Sequence, residues 1–215
     1  MIKLVIFDLD GTLLNTITDL AVCTNYALTQ NGFPAHPIDA YKYFVGNGIN
    51  KLFERALPEG SKMTDNILKI RTSFLPYYDN HNTDNTLPYE GIEKLLNWLQ
   101  NRGLMLAVAS NKYHLATEKL ISQLFPDTDF VAVFGQREGT PVKPDPAIVF
   151  DILKVANVTA SEALYIGDSA VDMHTASNAG IRSVGVTWGF RPREELTEAG
   201  AGFIVDSPDE IMKLF

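Results

Sequence analysis

The chain opens on Ile2-Lys3-Leu4-Val5-Ile6-Phe7, an apolar run of strand length that stops at the polar turn Asp8-Leu9-Asp10-Gly11-Thr12. A run with so little alternation predicts a strand covered on both faces. From Ile17 the period changes. Ile17, Leu20, Ala21, Thr24 and Leu28 share one face of a helix that stops near Gly32-Phe33-Pro34. A second helical face holds Ile49, Leu52, Phe53 and Ala56 and stops at Pro58, and a third holds Met63, Ile67, Ile70, Phe74 and Tyr77. The polar run from Asp79 to Asn85 reads as a linker.

Beyond the linker, helices and apolar strands alternate. Ile92, Leu95, Leu96 and Leu99 form a helix face ending at Gly103, and Leu104 to Ala109 form a buried strand ending at Ser110. Thr117, Leu120, Ile121 and Leu124 line the next helix, followed by a strand at Phe130 to Phe134. Asp145-Pro146 predicts an N-cap and a first helical residue ahead of Ile148, Ile152 and Leu153. A strand at Ala163 to Ile166 ends at Gly167-Asp168, a helix around Met173 and Ala176 stops at Gly180, and strands at 183–186 and 202–205 follow. Ser207 to Glu210 has the spacing of a capping box.

Strand–helix alternation predicts an α/β fold, a doubly wound parallel sheet with helices on both faces. The all-helical stretch leaves the sheet at the C-terminal end of the first strand, where open α/β sheets bind ligands. The expected organisation is a core of residues 1–15 and 85–215 with a helical cap of residues 16–84, a decorative insertion being the plainer alternative.

Composition narrows the function. Lys plus Arg number 18 against 26 Asp plus Glu, a net charge of −8, which disfavours a nucleic-acid binder. No apolar run approaches the roughly 18 residues of a membrane span. The single cysteine, Cys23, has no partner for an internal disulfide, and the opening residues read as a strand rather than a secretory leader, so a cytoplasmic location is expected. The four histidines show no short ligand spacing.

The chemistry gathers where strands end. The first ends at Asp8 and Asp10, the second at Ser110 and Asn111, the third at Asp168 with Asp172 beyond it. In a parallel sheet these ends lie on one edge, so four carboxylates converge with no His, Cys or Arg among them. Confined anions raise one another's pKa values, and a shared proton, a basic residue or a bound cation relieves them. An all-oxygen donor set suits a hard divalent ion such as Mg²⁺. Lys143, in Thr140-Pro141-Val142-Lys143-Pro144-Asp145-Pro146, sits on a stiff segment and is poised to reach something fixed, although by itself it reads as a loop residue.

Taken together, Asp8-Leu9-Asp10-Gly11-Thr12, the strand ending in Ser110, Lys143 before a proline, and Gly167-Asp168-Ser169-Ala170-Val171-Asp172 resemble the four motifs of the haloacid dehalogenase superfamily, in order, over nearly the whole chain. The insert resembles the superfamily's C1-type cap on a Rossmann-like core. The stretches Val45 to Ile49, Leu52 to Leu57 and Gly185 to Phe190 are similar to phosphoglycolate phosphatases. The resemblance implies that Asp8 is a nucleophile, Asp10 a general acid and base, and Lys143 a neutralising cation that also contacts the phosphate. It implies phosphate binding by Gly11, Thr12, Ser110 and Asn111. Mg²⁺ would be held by Asp8, the Asp10 carbonyl and Asp168, with Asp172 behind them. The aspartate at position 10 favours phosphate esters over haloacids, since a halide leaves without a proton.

The implied activity is a Mg²⁺-dependent phosphatase acting on a small phosphorylated metabolite, in a monomer or weak homodimer with no nucleic-acid or membrane partner. A phosphosugar mutase and a non-catalytic phospho-ligand sensor are the alternatives. Asn47, Arg55 and the Gly46/Gly48 pair are the candidates for substrate choice, Arg55 reading either as an anchor for a second substrate anion or as a surface residue. Arg191 and Arg193 read as surface residues.

Overall fold

The computed structural model describes residues 1–215. Its strands are β1 (Leu4–Phe7), β2 (Leu14–Asn15), β3 (Leu87–Pro88), β4 (Met105–Tyr113), β5 (Phe130–Gln136), β6 (Ala163–Gly167), β7 (Arg182–Val186) and β8 (Phe203–Val205). Between β2 and β3 lie α1 (Ile17–Gln30), α2 (Tyr41–Phe44), α3 (Ile49–Ala56) and α4 (Thr64–His81). The remaining helices are α5 (Ile92–Asn101), α6 (His114–Leu124), α7 (Ala147–Ala156), α8 (Ala170–Asn178), α9 (Arg193–Glu198) and α10 (Pro208–Met212). None is long and apolar enough to cross a membrane.

Six parallel strands form one sheet in the order β5-β4-β1-β6-β7-β8. Because successive strand side chains face opposite ways, β1 serves two cores. Val5 and Phe7 pack with Leu95, Leu99 and Leu120 on one face, while Leu4 and Ile6 pack with Val149, Ile152 and Ala176 on the other. That double cover is why its sequence is apolar without alternation. A third cluster is mainly helical, joining Leu20, Leu28, Phe53, Ile70, Phe74 and Tyr78 from α1, α3 and α4.

Several boundaries differ from the sequence pattern. The strand read as ending at Ser110 continues to Tyr113 through a register irregularity against β5 between Ala109 and Tyr113. Helix α4 runs through Pro76 to His81, into the presumed linker, because Tyr78 is buried in the helical cluster. Asp145 stands one residue ahead of the N-cap Pro146, and its carboxylate accepts the Ala147 N–H. Ser207 is the N-cap of α10 but its side chain makes no cap bond, since Glu210 accepts the Asp206 N–H instead. The short β2–β3 ribbon and α2 carry too few residues for a periodic signal.

The two chain crossings between helices and sheet are tied by one buried group. Asp19, near the start of α1, accepts hydrogen bonds from the backbone and side chains of both Asn85 and Thr86 at 2.7–3.0 Å. A buried carboxylate so fully satisfied stabilises the geometry it joins, and its loss would leave those donors unpaired.

Candidate active site

The three polar strand ends are neighbours because β1 lies between β4 and β6. Asp8 follows β1 directly, its N–H donating to Ile166 O at 2.9 Å. Ser110, Asn111 and Lys112 lie in the irregular stretch of β4, and Asp168 follows β6. The same cleft is lined from above by the loop holding Val45, Gly46 and Gly48 and by Leu52, Phe74 and Tyr78 of the helical segment.

Lys143 lies beneath the floor of this cleft. Its ammonium is 2.9 Å from Asp8 Oδ1 and 2.7 Å from Asp172 Oδ1, and donates to Ala109 O at 2.9 Å and the Tyr165 hydroxyl at 3.1 Å. Its backbone is pinned by Asn111, whose Oδ1 accepts the Lys143 N–H and whose Nδ2 donates to Lys143 O and to Gly46 O. Burial opposes the Lys143 charge, but Asp172 and Asp8 override it and hold its pKa above the ordinary lysine value.

Asp172 is fully spent. Oδ1 accepts from Lys143 and Tyr165, and Oδ2 accepts the Ser169 N–H at 3.2 Å and hydroxyl at 2.6 Å. The Ser169–Asp172 pair is a capping box opening α8, which explains why a serine stands between the two aspartates.

Asp8, Asp168 and Asp172 bring carboxylate oxygens within 4.8 Å of one another. Burial pushes the Asp8 carboxyl up to about 7, with Asp172 adding to the rise and Lys143 restraining it. Asp168 is raised well above the usual carboxylate range by burial, then by Asp172 and Asp8, against the Phe190 N–H at 2.7 Å and the Arg191 charge. Gly11, at φ +86°, and Gly189 press on the Asp168 carboxylate so closely that a methyl group on either would overlap it. The tail Gly185 to Phe190 therefore forms one wall of the site, and Trp188 anchors it by donating from Nε1 to Thr12 O at 3.1 Å.

Asp10 turns away from this trio. Thr16 donates to Oδ1 at 2.7 Å, and Lys112 reaches Oδ1 at 2.9 Å and Oδ2 at 3.2 Å with its ammonium over the Tyr78 ring. Lys112 is a site residue that the sequence reading missed. Ser110 and Lys112 alternate along β4 as Asp8 and Asp10 do after β1, a signal available once the strand is extended past Ser110.

Gly11, Thr12, Lys143 and Asp172 do not line the open cleft, whereas Asp8, Asp10, Ser110, Asn111 and Asp168 do. Thr12 is fully buried and its hydroxyl has no partner. Above the cleft, Arg55 is occupied with Tyr43 O, Phe44 O and Asn47 Oδ1, which accounts for both Arg55 and Asn47 as ties within the helical segment. Arg191 contributes to the cleft wall and is 10% exposed, so it is no surface residue.

Comparison with known proteins agrees with this architecture. The family model described as haloacid dehalogenase-like hydrolase matches residues 5–186. A phosphoglycolate phosphatase of Pseudomonas savastanoi pv. phaseolicola is 32% identical over 95% of this chain and 76% of its own length. One from Vibrio parahaemolyticus is 31% identical over 99% of this chain and 96% of its own. A crystal structure of a Lactobacillus delbrueckii subsp. bulgaricus protein matches with a TM-score of 0.92 at 33% identity, covering 99% of this chain and 97% of that one.

Proposed function

The chain belongs to the haloacid dehalogenase-like hydrolase family, and from that premise we propose that it is a Mg²⁺-dependent phosphatase of small phosphomonoesters working through an aspartyl-phosphate, with 2-phosphoglycolate the first substrate to try. The observation that carries the reading is the pairing of Asp8 with Lys143 at 2.9 Å beside the under-compensated Asp168. A nucleophilic carboxylate must meet a phosphate of its own sign, and only a cationic floor makes that approach favourable.

The donor set fits a divalent ion. Four carboxylates (Asp8, Asp10, Asp168 and Asp172) face two lysines (Lys112 and Lys143), an excess of two negative charges, and every donor is oxygen. Asp8, the Asp10 carbonyl and Asp168 would hold the ion, with Asp172 behind them because its oxygens are already used. Bound there, Mg²⁺ would offset the repulsion between Asp8 and the phosphate and favour charge development on the transferring group.

In the first half-reaction an Asp8 oxygen bonds to phosphorus, the ester P–O bond breaks, and Asp10 gives its proton to the departing alkoxide. In the second, Asp10 takes a proton from water, whose oxygen bonds to phosphorus as the Asp8–phosphorus bond breaks, releasing phosphate and restoring Asp8. Lys143 stays charged throughout. Ser110 and the Asn111 N–H, which line the cleft, orient the phosphate oxygens; the Gly11 and Thr12 N–H groups are used within their own turn, donating to Leu14 O and Leu9 O. Residues 16–84 act as a cap over the core of residues 1–15 and 85–215, excluding water from the reaction. The protein is read as a cytoplasmic monomer or weak homodimer.

The test is a screen of small phosphorylated metabolites with and without EDTA, paired with Asp8→Asn. Turnover of a phosphomonoester should need the divalent ion, and the variant should fold yet retain less than roughly 1% of it, the loss expected when a covalent nucleophile is removed. Several per cent of wild-type turnover in Asp8→Asn, measured on protein with a native circular dichroism spectrum, would overturn the aspartyl-phosphate route.

A further inference from the structure

The cations on the sheet side of the cleft are all paired, but one cation above it is not. Arg191 follows Phe190, whose N–H holds the Asp168 carboxylate at 2.7 Å, so the backbone delivers the guanidinium to the rim of the phosphate site. Its side chain is nine-tenths buried. Nη2 donates to Val45 O at 2.8 Å and Nε lies 3.3 Å from Glu195 Oε2. Nη1 is buried with no hydrogen-bond partner. Buried charged donors are normally satisfied, because leaving one unpaired costs its full desolvation. An exception inside a ligand cleft points to a group that the ligand brings.

The other cations near the cleft are committed. Lys143 serves Asp8 and Asp172, Lys112 serves Asp10, and Arg55 serves two carbonyls and Asn47. Only Arg191 keeps a nitrogen with no hydrogen-bond partner, Nη1, beside Nη2 with its single bond to Val45 O. Two parallel N–H groups match the two oxygens of a carboxylate. Glu195 already offsets part of the Arg191 charge, so a monoanion suits this edge better than a second phosphate dianion.

We propose that Arg191 is the specificity-determining residue of this site, its unpaired guanidinium edge binding a carboxylate carried by the phosphomonoester. The assignment rests on the phosphatase reading above and goes beyond it in naming which cation selects the substrate. Arg191 makes its contact away from the reacting phosphorus, so it governs binding more than the chemical step.

The experiment measures kcat/KM for 2-phosphoglycolate and for ethyl phosphate, which replaces the carboxylate by a methyl group, in wild type, Arg191→Met and Arg191→Lys. Intrinsic differences between the two leaving groups cancel when the ratio of the two values is compared between proteins. The wild-type ratio should favour 2-phosphoglycolate. Arg191→Met should lower it about 10- to 100-fold, mainly through KM, the range for losing a charge-assisted hydrogen bond. Arg191→Lys should restore part of it, since an ammonium keeps the charge but not the fork.

A ratio unchanged in Arg191→Met while both values fall overturns the proposal, for it marks a merely structural role through Val45 and Glu195. If Arg191→Met does not fold, Arg191→Lys gives the same comparison, and a ratio unchanged from wild type in that variant overturns the proposal. Failure of the phosphatase reading looks different: wild-type protein then turns over no phosphomonoester in the screen, and the anchor falls with it.

Discussion

The floor of the cleft and its upper wall both place cations among acidic or carbonyl oxygens, yet they differ in how completely those cations are used. Lys143 is 2% exposed and touches two carboxylates, a carbonyl and a phenol. Arg191 is held by one carbonyl and a partly exposed glutamate and lies 5.7 Å from the Tyr43 ring, with one nitrogen unpaired. The floor is over-determined: its groups fix one another, and none can move without stranding a buried charge. The wall is under-determined, and its remaining contacts are left for a ligand. One region sets the chemistry, the other sets what the chemistry is applied to.

Breaking the floor should therefore cost stability as well as activity. Lys143→Met leaves Asp8 and Asp172 buried without their cation, and losing one partner of a buried pair destabilises by about 3–5 kcal/mol. Urea unfolding should show a lower midpoint, together with loss of turnover. Adding Asp172→Asn to that variant should recover part of the stability but none of the activity, because the two side chains are coupled. Strictly additive losses would mean that the floor is not a unit. Arg191→Met, by contrast, should cost only about 1–2 kcal/mol, since it removes one carbonyl hydrogen bond and a contact to a partly exposed glutamate and strands no buried carboxylate.

Lys112 sharpens the comparison because it stands between the two regions. It lies in β4 but points at Asp10, with its ammonium over Tyr78 of the helical segment. With Thr16 it holds the Asp10 carboxylate. Lys112→Met should lower kcat about 10- to 100-fold, a fraction of a general acid–base contribution, and should leave KM nearly unchanged. The pH dependence of kcat should also shift, a response that a purely structural loss would not give. An unchanged kcat profile would remove Lys112 from the reaction.

What could be read from the sequence follows the same divide. Asp8, Ser110 and Asp168 were legible because each ends an apolar run, and strand ends of a parallel sheet must share an edge. Lys143, a loop residue by itself, was legible only beside the acidic strand ends that call for a cation. Lys112 was lost because the strand was stopped at Ser110, although the irregularity in β4 lets it run to Tyr113. Arg191 had no local signal. It enters the cleft only because Gly189 lets the backbone close on Asp168, and that approach is a tertiary fact. Asp19 was hidden for the same reason, since its partners lie 66 and 67 residues away. Residues that act through their own strand announce themselves; residues that act across the gap between helices and sheet do not.

Whether an ion completes the floor can be read from stability as a function of pH. Asp8 is pushed up to about 7, above the roughly 3.9 of an unfolded aspartate. Without metal the folded state therefore binds more protons than the unfolded state between about pH 4 and pH 7. Asp8's contribution to stability is full below that window and is lost as pH rises through it, and the raised Asp168 acts in the same direction. A divalent ion replaces the proton, so its benefit should grow with pH. With Mg²⁺ at about 100 times its Kd, linkage gives about 2.7 kcal/mol. For a chain of this length that is a Tm increase of roughly 5–10 °C at pH 7.5, and clearly less at pH 5.5. A shift equal at both pH values, or one that survives Asp168→Asn, would place the ion somewhere other than between Asp8 and Asp168.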